Sequence, residues 1–408
     1  MRYRSGIFCL ILALLLLLSA CGAPPSAGEG SQNNAGTPSS ADGAGESEEQ
    51  PPAQSFTAAD IQGIDPYDPN LSIADVDFSQ QPHFTSEEGV DAFWRDCLAH
   101  RYRSIVFSCD KSVQIDISAK SFCEDYLVAW VIPKMQPGGA GKQYILRITY
   151  YPGDNVAWAY CNGDTSTLEP EELALYDTAA AWLAENITED MTDYDKCVAV
   201  HDYLAGNVRY DNELLAALNT SFTFDWGITA YGAMMDHNSI CQGYADAFVM
   251  LTTMLGIHST QIYGIGSGEP HNWNLVELDG RWYHVDCTFD AAFGGTDGTS
   301  SKAYLIASDT QMRRTHSWET DRYPAAEDDA LYYYTAMDLV VNSEAELESR
   351  AAEAFQRDEA VDLYVKGMTK KQATDCLLEL GAQFHAAEYL RIVPDTICPQ
   401  SIFFRESS

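Results

Sequence analysis

An unbroken apolar run from Ile7 to Leu18, preceded by Arg2 and Arg4, opens the chain. It is short for a membrane span. The charged start, the leucine-rich centre and the small pair Ser19-Ala20 read instead as a secretory signal over residues 1–20. Residues 22–56 hold Gly, Ala, Ser, Pro, Asn, Gln and Glu with almost no large apolar side chain. Such a stretch has too little to bury to order itself, so residues 21–56 read as a tether. Between Phe84 and about Asn162 the pattern is mixed. Thr85 with Glu88 has the form of a capping box for a helix through Ala99. β-rich runs follow at Ser104–Ser108, Tyr144–Tyr151 and Val156–Tyr160, separated by turns at Pro137-Gly138-Gly139 and Pro152-Gly153.

Helical patterning takes over at Pro170, which suits a first turn, and runs through Asn186 with an alanine-rich apolar face. Thr192 with Asp195 marks the start of another helix, to about Asn207, carrying Val198, His201, Asp202 and Leu204. Tyr231 to about Ser308 is the densest part of the sequence. The tail alternates strand-like runs (Tyr332–Val341, Val361–Val365, Tyr389–Val393) with helix-like ones (Glu344–Phe355, Lys370–Leu380). These changes divide the chain into an N-terminal α+β domain over 57–165, a central domain over 166–325 and a small C-terminal α/β domain over 326–408.

Composition narrows the function. With 60 Asp+Glu against 24 Lys+Arg the formal charge is -36 over 408 residues. Loss of a signal carrying two arginines and no acid leaves -38. Charge of that sign repels phosphate backbones, so nucleic acid is not a partner. The sequence has no glycine-rich phosphate loop, HExxH or CxxC, so neither a nucleotide nor a metal is implied. Nine cysteines remain beyond Cys9 and Cys21, at irregular spacing. An odd number outside the cytoplasm leaves at least one unpaired or paired between molecules.

One cysteine has the setting of a nucleophile. In Asn238-Ser239-Ile240-Cys241-Gln242-Gly243-Tyr244, Asn238 or Ser239 suits an N-cap. Tyr244, Phe248, Leu251 and Leu255 then recur at helical spacing up to Gly256. Cys241 falls in the first turn, where the helix dipole and unpaired amides favour a thiolate and can hold an oxyanion. Thirty residues on, His271-Asn272-Trp273-Asn274 leads through Asp279-Gly280 into Trp282-Tyr283-His284-Val285-Asp286. Asp-Gly between strand-like runs is a strong hairpin signal. A two-residue turn sets Leu278 opposite Arg281, so His271 would pair with Thr288 and Trp273 with Asp286. Period two then places His271, His284 and Asp286 on one face, with Cys287 on the other. A thiol, an imidazole and a carboxylate so arranged are what nucleophilic acyl transfer requires.

These residues resemble the transglutaminase-like superfamily, the papain-related fold of Cys-His-Asp enzymes. Cys241-Gln242-Gly243-Tyr244-Ala245, His271-Asn272-Trp273-Asn274 and Trp282-Tyr283-His284-Val285-Asp286 carry the likeness. The stretch with His201-Asp202-Tyr203-Leu204 and Tyr210-Asp211 looks like the helix that precedes the core in that family. Asn272 and Phe289-Asp290-Ala291 depart from its usual pattern. The resemblance implies an α+β fold whose nucleophile sits on a helix N-terminus against an antiparallel sheet; the smaller α+β domains on either side are read from the patterning alone. It assigns Cys241 as nucleophile, His271 as base and Asp286 as its orienting partner, with no metal or organic cofactor. The implied chemistry is thioester formation from a peptide, protein or cell-wall-type amide, resolved by water or by an amine.

Other readings stand beside these. His284 shares a strand with Asp286 and is the rival base; His201 reads as a satisfied core histidine. Tyr231 could add a hydroxyl to the oxyanion site and Gln242 could face substrate, although an aromatic wall and a solvated amide account for them as well. Leu18-Ser19-Ala20-Cys21 resembles a bacterial lipobox, which implies a lipidated Cys21 and a protein held at the cell membrane, outside the cytoplasm. The same anchor would suit a non-catalytic surface module that binds a peptide or glycan, or a solute-binding lipoprotein.

Overall fold

The structure is a computed structural model and describes residues 72–115, 128–137, 141–221, 224–292, 300–357, 361–384 and 390–394. The signal, Cys21 and the tether lie outside the described residues, as do Cys123 and Cys398. Described residues up to Thr149 form one unit and those from Tyr150 onward a second. No helix among the described residues is long and apolar enough to cross a membrane.

In the first unit, helix α1 (Glu87–Ala99) is capped by Ser86, whose hydroxyl accepts from the Gly89 N–H. The expected cap was one residue earlier, at Thr85. Ser86 has the extended backbone a cap requires, and it is two acidic residues, Glu87 and Glu88, that enter the first turn. The strands are β1 (His83–Phe84), β2 (Ser104–Asp110), β3 (Val128–Pro137) and β4 (Gly141–Tyr150), in the order β1-β2-β4-β3. β1 runs parallel to β2, and β2 runs antiparallel to β4. Phe84, Phe93 and Phe107 meet edge-on or tilted at 5.1–6.1 Å between centroids, which joins helix to sheet.

The second unit begins with α2 (Pro152–Asn162), which corrects the strand expected at Val156–Tyr160. Val156, Trp158 and Tyr160 alternate with alanine and mimic period two. Pro152 at the first helical position and Gly163 at φ +66° after the last turn favour the helix, and Val156 and Ala157 pack into the core of this unit. Next come α3 (Pro170–Asn186), α4 (Asp193–Asn207), the short strand β5 (Arg209–Tyr210) and α5 (Asn212–Thr220). The Thr192–Asp195 capping box forms as the sequence indicates. Then follow β6 (Asn238–Ser239) and α6 (Cys241–Met254), which is buried on almost every side.

Strands β7 (Ser259–Gly266), β8 (Glu269–Leu278) and β9 (Arg281–Val285) form the centre of an antiparallel sheet. After α7 (Cys287–Ala292) come β10 (Leu305–Ala307), α8 (Asp309–Met312) and β11 (His316–Trp318), and the two strands complete the order β10-β9-β8-β7-β11. The hairpin has the expected register, Leu278 opposite Arg281, with Asp279 and Gly280 both at positive φ. One sheet face carries Val276, Leu278, Tyr283 and Val285 into the core around α6, which also holds Cys287. The other carries Trp273 and Leu275 into an aromatic core with Tyr304 and Tyr332. In the tail, α9 (Tyr333–Ala336) replaces the first part of the strand expected at Tyr332–Val341, leaving β12 (Val340–Val341). α10 (Glu344–Gln356), β13 (Val361–Val365), α11 (Lys370–Phe384) and β14 (Leu390–Pro394) then build a parallel sheet β12-β13-β14.

A buried acid links α6 to its surroundings. Asp246 accepts from the Ala230 N–H at 2.7 Å and the Gly153 N–H at 3.3 Å, while its Oδ1 has no protein partner. Burial pushes its pKa up to about 7. The fold therefore favours the protonated acid, and stability falls as pH rises from the ordinary value of 3.8 through 7. Asp246→Asn is expected to abolish that decline, so that wild type loses about 2–3 kcal/mol relative to the variant between pH 5 and 8. Urea denaturation at both pH values checks this; parallel curves for the two proteins would refute it.

Candidate active site

Cys241 opens α6 behind Ile240, a cap residue with no side-chain bond to the first turn. The entry is tight. A Cβ added at Gly243 would lie 2.0 Å from Ser239 Oγ and 2.6 Å from the Thr229 carbonyl oxygen. Ser239 cannot simply give way, because its hydroxyl donates to the Gly227 carbonyl at 2.5 Å. Asn238 and Ser239 do not cap the helix; they form β6 and pair in parallel with Arg209 and Tyr210 of β5. Gly243→Ala is expected to destabilise the protein by about 3 kcal/mol, at the level of severe overpacking, and to slow Cys241 chemistry as the turn shifts. A denaturation midpoint within 0.5 kcal/mol of wild type would show that the turn adapts freely.

The β5–β6 pairing brings Tyr210 to Cys241. Its hydroxyl lies against the Cys241 sulfur and backbone N–H. No sequence feature singled out the Tyr210 side chain for the site, because two-residue parallel strands leave no periodic signature. The expected oxyanion tyrosine, Tyr231, packs tilted against Trp226 at 5.4 Å, and its backbone N–H donates to Thr229 Oγ1. Gln242 turns toward β7 and β8: its amide donates to Gln261 Oε1 at 2.9 Å and accepts from the Asn272 side chain.

His271 lies on β8 with Nε2 2.8 Å from Asp286 Oδ2, and its ring and the Asn272 backbone N–H both lie close enough to Cys241 to favour the thiolate. Room for the imidazole comes from Gly266 on the neighbouring strand, where a Cβ would sit 2.9 Å from the ring. Asp286 lies one residue beyond β9 and does not take the ladder position opposite Trp273 that the hairpin register suggested. Its backbone N–H donates to the Tyr304 carbonyl, and its Oδ1 accepts from Phe289 N–H at 3.0 Å in the manner of a cap for α7. Leaving the ladder still delivers the carboxylate to His271.

A further histidine joins this cluster. His316 on β11 directs Nε2 to Asp286 Oδ2 at 3.0 Å. His271, Asp286 and His316 have donor atoms within 4.8 Å of one another, a spacing a metal ion could use. Both ring nitrogens point at a single carboxylate oxygen at hydrogen-bond distance, so shared N–H donors account for the arrangement. The other two buried histidines among the described residues have other partners. His284 accepts from Trp273 Nε1 at 3.0 Å and pairs through Nε2 with Asp309 at 2.9 Å, so both its nitrogens are engaged. His201 bonds Asp290 at 3.0 Å and Asp202 at 2.9 Å, deep in the fold.

The electrostatics favour charge separation. Burial opposes a charged His271, but the Asp286 charge and hydrogen bond and the contact with Cys241 raise its pKa to about 10. Burial likewise opposes ionised Asp286, yet His271 and His316 hold it well below the usual carboxylate range. At Cys241 burial works against the thiolate, and the His271 bond and charge with the Asn272 N–H outweigh it, leaving the pKa below the ordinary value. Buried Cys197 and Cys287 are pushed upward instead. The described cysteines are all free thiols.

Residues 181–287 match the family described as the transglutaminase-like superfamily, and the fold there is transglutaminase-like. No curated protein matches the chain. Among solved structures, a transglutaminase is similar at 16% identity and TM-score 0.25, over 50% of this chain and 59% of that one. A protein from Cytophaga hutchinsonii provisionally described as a cysteine protease is similar at 10% identity and TM-score 0.23, over 41% of this chain and 68% of that one. A provisionally described protease from Parabacteroides distasonis is similar at 8% and 0.20, over 44% and 39%. The chain thus spans 59% of the first structure's length, and likenesses this distant carry no conclusion about chemistry.

Proposed function

We propose that this protein is a cysteine-dependent amide acyl-transfer enzyme, anchored at the cell membrane by a lipid on Cys21 and acting outside the cytoplasm on a peptide, protein or cell-wall-type amide. One observation supports it above the others: Cys241 at the start of a buried helix lies against His271, whose proximity favours the thiolate, and His271 in turn bonds Asp286 at 2.8 Å. In this reading the Cys241 thiolate attacks the carbonyl carbon. The oxyanion collapses to a thioester as the C–N bond breaks, and the His271 imidazolium delivers its proton to the departing nitrogen. Water or an amine, deprotonated by His271, then attacks the thioester and frees the thiolate. The chemistry needs no cofactor. The Cys241 N–H, which lies beside the Tyr210 hydroxyl, would receive the carbonyl oxygen once substrate displaces that hydroxyl. The N-terminal signal, Cys21 and tether support the location. Hydrolysis is favoured over crosslinking because water is always present outside the cell.

The test is the rate of iodoacetamide alkylation of each cysteine against pH, located by mass spectrometry, with His271→Ala beside wild type. Cys241 is expected to label fastest on the acid side of an ordinary thiol, and the substitution to slow it by tenfold or more. Labelling at the ordinary rate, indifferent to His271 and with access shown by a denatured control, would remove the reading.

A further inference from the structure

We propose that His316 is a positioning residue of this site, which fixes the Asp286 carboxylate and weakens its hold on the His271 proton by sharing the same oxygen. The inference rests on the acyl-transfer reading above and concerns how its proton is moved.

Asp286 receives donors on both oxygens: His271 Nε2 at 2.8 Å and His316 Nε2 at 3.0 Å on Oδ2, and the Phe289 N–H at 3.0 Å on Oδ1. A carboxylate held on both sides cannot rotate, so the direction of the His271 bond is set. His316 is itself fixed. Its Nδ1 lies 2.8 Å from Thr315 Oγ1, and that hydroxyl donates to the Tyr304 hydroxyl at 3.1 Å. Its ring packs 4.5 Å from Phe289 and 4.9 Å from Trp273. Its strand pairs with β7 at Gly266, the residue that leaves space for the His271 ring.

The sharing has a chemical consequence. A buried carboxylate bonded to His271 alone would bind the imidazolium proton strongly, and a base that binds too strongly is a poor acid toward a leaving nitrogen. A second N–H on the same oxygen competes for its electron density. The Thr315 hydroxyl donates to Tyr304, so its oxygen accepts from His316 Nδ1–H, and with Nε2–H donating as well the ring presents a positive N–H end to Asp286. The other titratable groups whose charges reach the cluster are Cys241, Tyr210, Tyr244 and Cys287, with His201 and His284 on its flanks. All remain in place when residue 316 is substituted, while His284 loses the nearby His316 charge.

The experiment follows Cys241 alkylation against pH in the full-length chain. Wild type should show a lower inflection where the thiolate forms and an upper one where His271 loses its proton. His316→Phe keeps the ring and removes the donor. It is expected to raise the upper inflection by about one pH unit and to lower kcat about tenfold with KM little changed, because proton delivery and not binding is affected. His316→Gln returns an N–H to the position of Nε2 and should restore the inflection. If His316→Phe fails to fold, Thr315→Val, which frees the ring at Nδ1, is expected to shift the inflection in the same direction by a smaller amount. An upper inflection that stays or falls in the folded variant, while wild type and His271→Ala behave as an activated pair, overturns the proposal and leaves the acyl-transfer reading standing. Ordinary-thiol behaviour of wild-type Cys241 removes that reading and this proposal together.

Discussion

Cys241→Ala is expected to remove amide turnover, by about 10³-fold at least, while leaving the protein folded. The two halves of that result have separate causes. Activity is lost because, among the described residues, no other thiol is placed to replace it: Cys197 and Cys287 are buried without an imidazole on the sulfur, and burial raises their pKa values. The fold survives because only one sulfur atom is deleted at a helix start that is itself held by Gly243 and Ser239. The thermal midpoint should move by no more than a few degrees, as for a substitution costing about 1 kcal/mol. Turnover would be followed on glutamine-containing peptides and peptidoglycan-type fragments, as ammonia or amine release and as incorporation of a labelled amine. The ratio of the last two signals separates hydrolysis from crosslinking. Turnover that persists in Cys241→Ala would end the acyl-transfer reading. Loss of turnover with retained, ligand-induced stabilisation would add a binding step that does not use the thiol.

The hairpin that carries His271 was legible in the sequence because its register is fixed locally. Asp279-Gly280 admits only a tight turn, both residues have positive φ, and every pair from Leu278–Arg281 to Asn274–Val285 follows from it. Cys241 was legible for the same local reason, as the first residue of a long apolar helix. What escaped was set by contacts distant in sequence. Tyr210 reaches the sulfur through a two-residue parallel pairing, and His316 reaches Asp286 from an edge strand whose place beside β7 has no turn to announce it. Asp309, partner of His284, lies in a short helix after β10. Asp286 shows the limit of local reasoning from the other side. Period two put it on the correct face, but the strand stops one residue short, since the carboxylate caps α7. The same local ambiguity, small residues alternating with large ones, produced the strand misread at Val156–Tyr160.

Asp286→Asn is expected to lower kcat/KM by about 10³- to 10⁴-fold, the scale seen when the orienting carboxylate of a triad is neutralised. Both Asp286 oxygens accept from N–H groups, Oδ2 from two imidazoles and Oδ1 from Phe289. An asparagine amide has one acceptor oxygen, so in either orientation its NH₂ meets an N–H donor. The mismatch should cost about 1–3 kcal/mol of stability at neutral pH. The pH dependence follows from the signs. His271 has its pKa raised from 6.5 to about 10, so its contribution is complete below 6.5 and fades as pH rises toward 10. Asp286 is depressed below 3.8, so its contribution is complete above that value and fades as pH falls through the depressed one. Wild type and variant should therefore differ most between about pH 4 and 6.5 and converge in the alkaline range. The upper inflection of Cys241 alkylation should fall in the variant, because the imidazolium loses its counter-ion, the reverse of the shift expected at His316. Denaturant unfolding at pH 5, 7 and 10 beside the alkylation profile measures both effects. Activity within tenfold of wild type together with an unshifted inflection would show that His271 takes its orientation from elsewhere.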